Sequence, residues 1–453
     1  MRSVREGRLV GEALRSLGEE ISVPELSLAS SLAYAALRRE PLWKTLFGAY
    51  VKKERSGKPQ GLDPTVSDCL LLGTAGILEL RNFAKAALVN GLLEVLKSEG
   101  QAKAVPLANA ILRNVEREGA ASMEKLRRSS QVKDRALWAG VPEWMLPAWS
   151  KSWNSEELFE LFELMRVPPQ GALRTSPGKR NEVLGLLKKQ GMEGVPSDLF
   201  PESIRLASTV FPSLVPGFDR GLVTVQTEGS MLAASLVVKF ARPEGLVLDM
   251  CSGRGVKAGQ IAQSFNASLT ASLTASLNAS ALNSGARLEC WELSSGRHLA
   301  AIREMERLGV GDRVTLRLGD ALSLVPSEKP SVVLLDVPCT GSGTWNRKPE
   351  SKWKLSWARL DRTRALQSSL LQRALTLVRT GGIIVYVTCS LLRQENENIV
   401  AEALAQQPGC VVLDVPWEGS HLRRGRPWGT YIWPTLPWLD GFYVSIIMKR
   451  AEA

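Results

Sequence analysis

The chain contains only two histidines, and its six cysteines are widely spaced and include no Cys-x-x-Cys pair. This shortage argues against a zinc site and against the disulfide framework of a small secreted protein. A mechanism that needs an imidazole base and an imidazole ligand has almost no residues to draw on. We therefore expect reduced thiols, no metal, and proton transfers that use other groups.

Long apolar runs are also missing. No stretch approaches the roughly 20 apolar residues that a membrane helix requires. Residues 1–11 mix arginine with glutamate and lack an apolar run followed by a small-residue cleavage site, so no signal peptide is visible. These observations predict a cytoplasmic protein without a membrane partner, and we expect a monomer.

Positive charge is in excess, with 57 Lys and Arg against 46 Asp and Glu and a formal net charge of +11. A basic surface attracts polyanions and raises the rate of encounter with them, so nucleic acid is the leading partner. The alternative is that the excess charge only keeps the protein soluble.

The length of 453 residues predicts two or three domains. Residues 1–130 have apolar positions at helical spacing, which predicts an all-α bundle, and Asp63 and Pro64 are placed to begin a buried central helix. Residues 131–222 alternate short strands and helices and predict a small α+β connector. The basic segment 52–61 predicts a loop, and the Ser/Thr/Asn/Ala-rich segment 266–284 predicts a surface insertion without a function.

Residues 223–453 predict an α/β domain with a parallel, doubly wound sheet, because short apolar segments alternate with segments of helical period. Such sheets bind ligands at the carboxyl ends of their central strands. The expected strands are Gly245 to Met250, Arg287 to Trp291, Arg313 to Arg317, Ser331 to Asp336 and Gly382 to Val387.

A glycine turn follows the first of these strands. This geometry brings backbone amides and a helix N-terminus close to a nucleotide-like ligand. The third glycine of the dinucleotide fingerprint is missing, which disfavours a nicotinamide enzyme. The turn runs through Asp249, Met250, Cys251, Ser252, Gly253, Arg254, Gly255, Val256 and Lys257.

Acidic residues follow the next two strands. Glu292 ends the second strand, where a carboxylate can accept hydrogen bonds from ribose hydroxyls. Asp320 follows the third strand, where it can accept from an adenine amine. Either residue alone could be a surface carboxylate, but their occurrence at successive strand ends favours a nucleoside site.

Two cysteines follow the fourth and fifth strands. Cys339 comes shortly after Asp336, and Cys389 ends Val385-Tyr386-Val387-Thr388-Cys389. Carbon 5 of cytosine becomes nucleophilic only after a thiolate adds to carbon 6, and cysteine is the natural residue for that attack. Asp336 can meet ring nitrogen 3 and hold its proton. The other thiols, Cys69, Cys290 and Cys410, are interpreted as small buried hydrophobes.

These segments resemble a known family. Residues 336–343 (Asp-Val-Pro-Cys-Thr-Gly-Ser-Gly) with Pro349 to Trp353, and Thr388 to Ser390 followed by Glu395 to Glu397, are similar to motifs IV and VI of the Sun-type RNA cytosine-5 methyltransferases. Further likeness lies in residues 226–234, 248–257 and 440–443. Residues 62–64 and 107–113 resemble the NusB-like domain of a subgroup that methylates 16S rRNA of the small ribosomal subunit.

The resemblance implies a Rossmann-like class I methyltransferase sheet, an RNA substrate and S-adenosyl-L-methionine as cofactor. It implies that Cys389 is the nucleophile and that Cys339 assists release of the methylated base. It also implies that Asp249, the Cys251 to Lys257 turn, Glu292, Asp320 and Asp336 border the cofactor. The family usually has Ala-Pro-Gly-Gly-Lys at residues 253–257, and aspartate at position 292.

Other functions fit parts of the sequence. An RNA-binding adaptor would explain the NusB-like region but would not need two cysteines at adjacent strand ends. A nicotinamide dehydrogenase would explain the sheet and Glu292. A DNA cytosine methyltransferase takes its nucleophile from the Pro-Cys motif, so the Thr-Cys-Ser motif at Cys389 favours RNA, either 16S rRNA or another RNA such as tRNA.

Overall fold

The computed structural model describes residues 1–450 except 7, 9, 17–20, 53–60, 82–83, 243, 267–285, 426 and 437. Most of the predicted basic loop and nearly all of the predicted 266–284 insertion therefore lie outside the described residues. The chain divides into a helical unit, Met1–Val167 with Trp345–Leu355, and a sheet unit, Pro168–Thr344 with Ser356–Ala453.

The helical unit confirms the predicted all-α bundle. Its central helix begins as expected, because Asp63 accepts a 2.8 Å hydrogen bond from the amide of Thr65 and Pro64 occupies the first helical position. The bounds in the helical unit are α1 Arg2–Arg5, α2 Val10–Arg15, α3 Val23–Arg38, α4 Glu40–Gly48, α5 Pro64–Glu79, α6 Lys85–Ser98, α7 Val105–Arg128, α8 Val132–Ala139, α9 Leu146–Ser150 and α10 Ser155–Arg166.

The core of this unit forms around α5, whose apolar positions are buried against α3, α6 and α7. Gly73 and Gly76 make the close approach feasible, since a Cβ at either position would overlap a leucine of a neighbouring helix. Burying leucine-sized side chains contributes about 1.5–3 kcal/mol each, so this core supplies much of the stability of the bundle.

The segment Trp345–Leu355 belongs to the helical unit although it follows the Cys339 loop in the chain. Its short helix is α15, Pro349–Trp353. The amine of Lys352 donates to the carbonyl of Arg38 at 2.6 Å, and the indole of Trp353 donates to the carbonyl of Leu37 at 2.8 Å. Burial lowers the pKa of Lys352 well below its usual range, helped by the charges of Arg38 and Arg39.

The sheet unit begins with a small antiparallel sheet in the order β2-β3-β1-β4. Strands β1 to β3 of this sheet fall within the predicted connector, whereas β4 lies just beyond its predicted end at residue 222. Residues 132–166 of the predicted connector are mainly helical and belong to the helical unit. The bounds are β1 Gly171–Thr175, α11 Arg180–Lys189, β2 Gly194–Pro196, β3 Ser203–Leu206, β4 Val223–Val225 and α12 Glu228–Phe240.

The larger sheet confirms the five predicted strands and their parallel pairing, in the order β7-β6-β5-β8-β9. Their apolar core packs against α12 and α13. The bounds are β5 Leu246–Asp249, α13 Val256–Asn266, β6 Arg287–Glu292, α14 Ser295–Arg307, β7 Val314–Leu318, β8 Val332–Asp336, α16 Trp357–Leu377, β9 Ile383–Thr388 and α17 Glu397–Ala405.

The sheet is mixed, which the sequence did not predict. Antiparallel strands extend it beyond β9 in the order β13-β12-β11, and β10 pairs with the C-terminal part of β13 along the same edge as β12. Tryptophan, proline and glycine interrupt the alternation in this region and hide the short strands. Their bounds are β10 Cys410–Leu413, β11 Leu422–Gly425, β12 Gly429–Ile432 and β13 Phe442–Lys449.

The strand order reverses between β5 and β8. Strands β6 and β7 extend the sheet on one side of this point and β9 on the other. Ligands of doubly wound sheets bind in the crevice at such a reversal, outside the carboxyl ends of the strands. The turn after β5, the loop after β8 and the loop after β9 all leave the sheet there. Among the helices described, none is long and apolar enough to cross a membrane.

Candidate active site

The structure brings together the two cysteines singled out in the sequence. Cys339 lies in the loop after β8, Cys389 follows β9 directly, and their Sγ atoms are 3.2 Å apart. The strands that deliver them are parallel neighbours, with Asp336 opposite Val387 in the ladder. Both thiols are partly exposed, and Cys389 also packs against the apolar core of the sheet.

The two thiols form a coupled pair. The pKa of the Cys339 thiol is raised well above its usual range by its hydrogen bond with Cys389, and further by burial. Cys339 therefore holds its proton at neutral pH and is able to donate an S–H hydrogen bond to Cys389. Because a thiolate is the nucleophilic form of cysteine, this arrangement favours Cys389 as the reactive sulfur.

A lysine from the turn after β5 completes the cluster. The Nζ of Lys257 lies 2.6 Å from Oδ2 of Asp336, and the ammonium also lies over the ring of Phe442. Burial alone would lower the pKa of Lys257. The Asp336 carboxylate and the thiolate form of Cys389 have the opposite effect, and the pKa is raised overall. The charged ammonium therefore sits close to both the carboxylate and the reactive sulfur.

The turn after β5 has the shape that the sequence predicted. Gly253 and Gly255 adopt positive φ angles of 60° and 81°, a region that favours glycine. A Cβ at Gly253 would meet nothing within 4 Å, so this side of the turn faces open space. The turn is fixed underneath by the amide of Ser252, which donates to the carbonyl of Trp291 at 3.0 Å.

The remaining turn residues frame this space. Val256 begins α13, which directs the positive end of a helix dipole at the turn. The side chain of Arg254 is exposed, while Cys251 is partly buried and burial raises the pKa of its thiol well above the usual range.

The carboxylates predicted to border a nucleoside lie at the same edge. Glu292 is buried, and its Oε2 accepts a 3.0 Å hydrogen bond from the amide of Gly253. Its Oε1 accepts from the amide of Ser294 at 2.7 Å and from the guanidinium of Arg297. The sequence did not indicate these partners. Asp320 is in the turn after β7, which adjoins Glu292 through a 3.0 Å bond from Gly319 to the carbonyl of Glu292.

Asp249 ends β5 beneath the turn. Its Oδ1 accepts a 3.2 Å hydrogen bond from the amide of Cys251. Burial, together with the smaller effect of the Asp336 charge, raises its pKa to about 7. The carboxyl groups of Glu292, Asp320 and Asp249 thus lie at the edge of the sheet where the sequence predicts a nucleoside site. The described residues contain no group of three or more His, Cys, Asp or Glu side chains that could hold a metal ion.

Sequence reasoning missed the role of one buried residue beside the site. Glu395 is fully buried and accepts hydrogen bonds from both cysteine loops. The sequence places Glu395 in a motif, but nothing in the sequence indicates that it reaches across to position 340. Of the cysteines interpreted as buried hydrophobes, Cys69 and Cys290 are buried as expected, whereas Cys410 is only partly buried because β10 lies at the edge of the sheet.

A mixed sheet with a glycine turn and acidic strand ends at its reversal point defines a Rossmann-like methyltransferase. Residues 237–448 match the family model described as 16S rRNA methyltransferase RsmB/F, and residues 4–117 match the NusB family model. The chain is a methyltransferase whose residues 237–448 are similar to the RsmB/F family and whose residues 4–117 are similar to the NusB family.

Curated relatives and solved structures are similar to most of the chain. The chain is 26% identical over 446 residues to the probable ribosomal RNA small subunit methyltransferase B of Bacillus subtilis, with 95% of this chain and 92% of the relative covered. The crystal structure of PH0851 shares the fold, with a TM-score of 0.75, 20% identity and coverage of 97% and 93%. NSun6 from Pyrococcus horikoshii, solved with SFG, an analogue of S-adenosylmethionine, has a TM-score of 0.58, 18% identity and coverage of 69% and 99%.

Proposed function

We propose that this protein methylates carbon 5 of a cytosine in RNA, with S-adenosylmethionine as methyl donor and Cys389 as a transient covalent nucleophile. The observation that carries the proposal is the 3.2 Å separation of the Cys339 and Cys389 sulfurs beside Lys257 and Asp336. A pair of thiols at a ligand-binding edge suits a reaction that must both add sulfur to a base and release it.

In methylation of cytosine at carbon 5, Cys389, Asp336 and Cys339 each have a separate role. The Cys389 thiolate forms a bond to carbon 6 while nitrogen 3 takes up a proton from water. The Asp336 carboxylate accepts a hydrogen bond from that N–H group, and carbon 5 becomes electron-rich. S-adenosylmethionine, when bound, supplies an electrophilic methyl group. After methylation the protons on carbon 5 and nitrogen 3 leave to water and the C6–S bond breaks. The Cys339 thiol then donates a hydrogen bond to the departing Cys389 thiolate.

The cofactor fits the edge of β5, β6 and β7. In this proposal Glu292 accepts from the ribose hydroxyls, Asp320 accepts from the adenine amine, and the open turn at Gly253 leaves room for the backbone to approach the ligand. The further residues proposed to border it are Asp249, Cys251, Ser252, Arg254, Gly255, Val256, Lys257 and Asp336.

The names of the relatives and the net positive charge of the chain support an RNA substrate. The Bacillus relative is named for ribosomal RNA of the small subunit, and it covers nearly the whole chain, including the NusB region. The net charge of +11 suits a polyanionic substrate. We therefore propose 16S rRNA as the substrate and a cytoplasmic site of action, with the NusB domain, a connector at residues 131–222 and the catalytic domain at 223–453 as functional parts.

Two cysteine variants test the chemistry. Cys389→Ala should abolish transfer of labelled methyl groups to RNA. Cys339→Ala should accumulate a protein–RNA adduct that survives a denaturing gel, because the leaving thiolate has lost its hydrogen-bond donor. Cys410→Ala, which removes a partly buried thiol from the sheet edge, is the matched control and should keep full activity. Full activity of Cys389→Ala would refute the assignment.

Bisulfite sequencing tests the substrate. 16S rRNA from a strain that lacks this gene should lose one 5-methylcytosine signal, and the wild-type gene should restore it while the Cys389→Ala gene should not. If the 5-methylcytosine pattern of 16S rRNA is unchanged and a 5-methylcytosine signal in tRNA is lost, the substrate is tRNA.

A further inference from the structure

The carboxyl group of Glu395 is bonded to the residue that follows each active-site cysteine. Its Oε1 accepts a 2.8 Å hydrogen bond from the amide of Thr340, and its Oε2 accepts from the Thr340 hydroxyl. Oε2 also accepts from the hydroxyl of Ser390. Thr340 follows Cys339 and Ser390 follows Cys389, so one side chain contacts both loops at equivalent positions.

Two neighbours strengthen this connection. The amide of Gln367, from α16, donates to Oε1 of Glu395 at 3.0 Å and to the carbonyl of Pro338 at 2.8 Å. The side chain of Asn396 donates to the carbonyl of Ser390 at 2.9 Å. The two residues Glu395 and Asn396 therefore support both cysteine loops from behind, on the side away from the crevice.

The regular ladder between β8 and β9 ends before the cysteines. Its last pair is Asp336 with Val387, so the loops beyond it need other contacts to stay in register. The amide of Gly343 supplies one, donating to the carbonyl of Cys389 at 2.9 Å. Glu395 supplies three more from a single fully buried carboxyl.

Burial of such a group is costly unless its oxygens accept hydrogen bonds, and here four donors reach them. Burial raises the pKa of Glu395, and the hydrogen bonds from Ser390 and Thr340 oppose that rise. The charge of Glu395 is also one of the lesser causes of the raised pKa of Cys339. The Glu395 carboxyl therefore contacts the two cysteine loops and affects the pKa of Cys339, and it does not touch a reacting atom.

We propose that Glu395 is a positioning residue that holds the Cys339 and Cys389 loops so that both thiols face the same base. This inference rests on the proposed function, in which both sulfurs act on one cytosine. Displacement of a reacting group by about 1 Å can reduce a rate by about 100-fold, so a carboxyl that sets this distance has a large kinetic effect.

Glu395→Gln tests the proposal with little change of shape. The amide has only one accepting oxygen and points N–H groups at donors, so the loops lose part of their support. Methylation of RNA should show a kcat about 100-fold lower with an unchanged KM for S-adenosylmethionine. Glu397→Gln is the matched control, since Glu397 is also buried on the same segment but binds Tyr431 and Arg393. Its kcat should stay at the wild-type value.

A second measurement does not depend on methylation. Hydrogen peroxide should join Cys339 and Cys389 in a disulfide, in which the two thiols lose two electrons and two protons while the peroxide is reduced to two water molecules. The sulfurs need to move only about 1 Å to bond. Intact-protein mass spectrometry should show this disulfide forming several-fold more slowly in Glu395→Gln than in the wild type or Glu397→Gln.

The outcomes separate the two proposals. A wild-type protein that does not methylate cytosine, together with slow disulfide formation in Glu395→Gln, would refute the proposed function and keep the positioning role. Equal kcat and equal disulfide rates in Glu395→Gln and wild type would overturn the positioning role. If Glu395→Gln does not fold, as judged by circular dichroism, Gln367→Leu removes the amide that donates to Glu395 and to the carbonyl of Pro338, and it should show the same effects at smaller size.

Discussion

The ammonium of Lys257 and the carboxylate of Asp336 meet at 2.6 Å across the reversal point of the sheet. Lys257 comes from the turn after β5 and Asp336 from the end of β8, so the pair joins the proposed cofactor side of the crevice to the cysteine side. Both side chains are less than one third exposed, with 14% and 27% of their surface accessible. An ion pair in such a place is weakly screened by water and salt.

Lys257→Met should lower both stability and activity. The Asp336 carboxylate would lose its charged partner while still partly buried, at a cost of about 1–3 kcal/mol of unfolding free energy. Methylation should slow because Asp336 loses the contact that orients it. Urea unfolding and methyl-transfer assays measure the two effects. The double variant Lys257→Met/Asp336→Asn should recover most of the stability and none of the activity. A double variant as unstable as the sum of its single changes would contradict the pairing.

Gly343→Ala should displace the loop that carries Cys339. A Cβ at this position would overlap the backbone of Gly441, and the amide of Gly441 donates to the carbonyl of Gly343 at 2.9 Å. Backbone atoms cannot move aside as a flexible side chain would, so kcat should fall by about 100-fold. Gly296→Ala is the control, because a Cβ there meets open space and the helix α14 should gain about 0.4–1 kcal/mol. Equal activity of both variants would exclude this packing role.

The sequence predicted those parts of the site that follow directly from strand ends. Asp336, Cys339 and Cys389 each follow a β-rich apolar segment, and the parallel order of the strands brings them to one edge. Their partners could not be read in the same way. The bond from Ser390 to Glu395 depends on the conformation of a tight loop, and the place of Trp345–Leu355 in the helical unit depends on contacts with residues more than 300 positions away.

The C-terminal strands escaped prediction for a related reason. Strands β10 to β13 are stabilised by pairing with one another and with β9. The tryptophans and prolines of this region lie in the connections between the strands and divide it into short segments, and β-propensity depends strongly on neighbours. Local pattern was sufficient for the central parallel strands because these are buried on both faces and read as continuous apolar runs.

Glu292→Gln should weaken binding of S-adenosylmethionine. The amide would offer N–H groups where the carboxylate now accepts from Gly253, and it would lose the charge that strengthens hydrogen bonds to ribose hydroxyls. We expect a dissociation constant about 10- to 100-fold higher by isothermal titration calorimetry.

Glu289→Gln is the control on the same strand, since Glu289 is also buried and accepts hydrogen bonds from Trp291 and Arg317 instead. It should reduce stability and leave the affinity unchanged; similar losses of affinity in both variants would remove Glu292 from the proposed site.

Asp249→Asn should change how stability depends on pH. The folded protein raises the pKa of this carboxyl from 3.8 to about 7, so between these values the folded state holds a proton that the unfolded state has released. The contribution of Asp249 to the free energy of unfolding is therefore fully present below pH 3.8 and is lost as the pH rises towards 7, by at most about 1.4 kcal/mol per pH unit.

Asparagine at position 249 keeps the acceptor for the amide of Cys251 and cannot ionise. Urea unfolding of both proteins at a series of pH values isolates this contribution, because the other titrating groups are common to the two chains. The wild type should lose stability relative to Asp249→Asn as the pH increases from about 4 to 7, and a constant difference across that range would mean that the carboxyl at the end of β5 is not held in its neutral form.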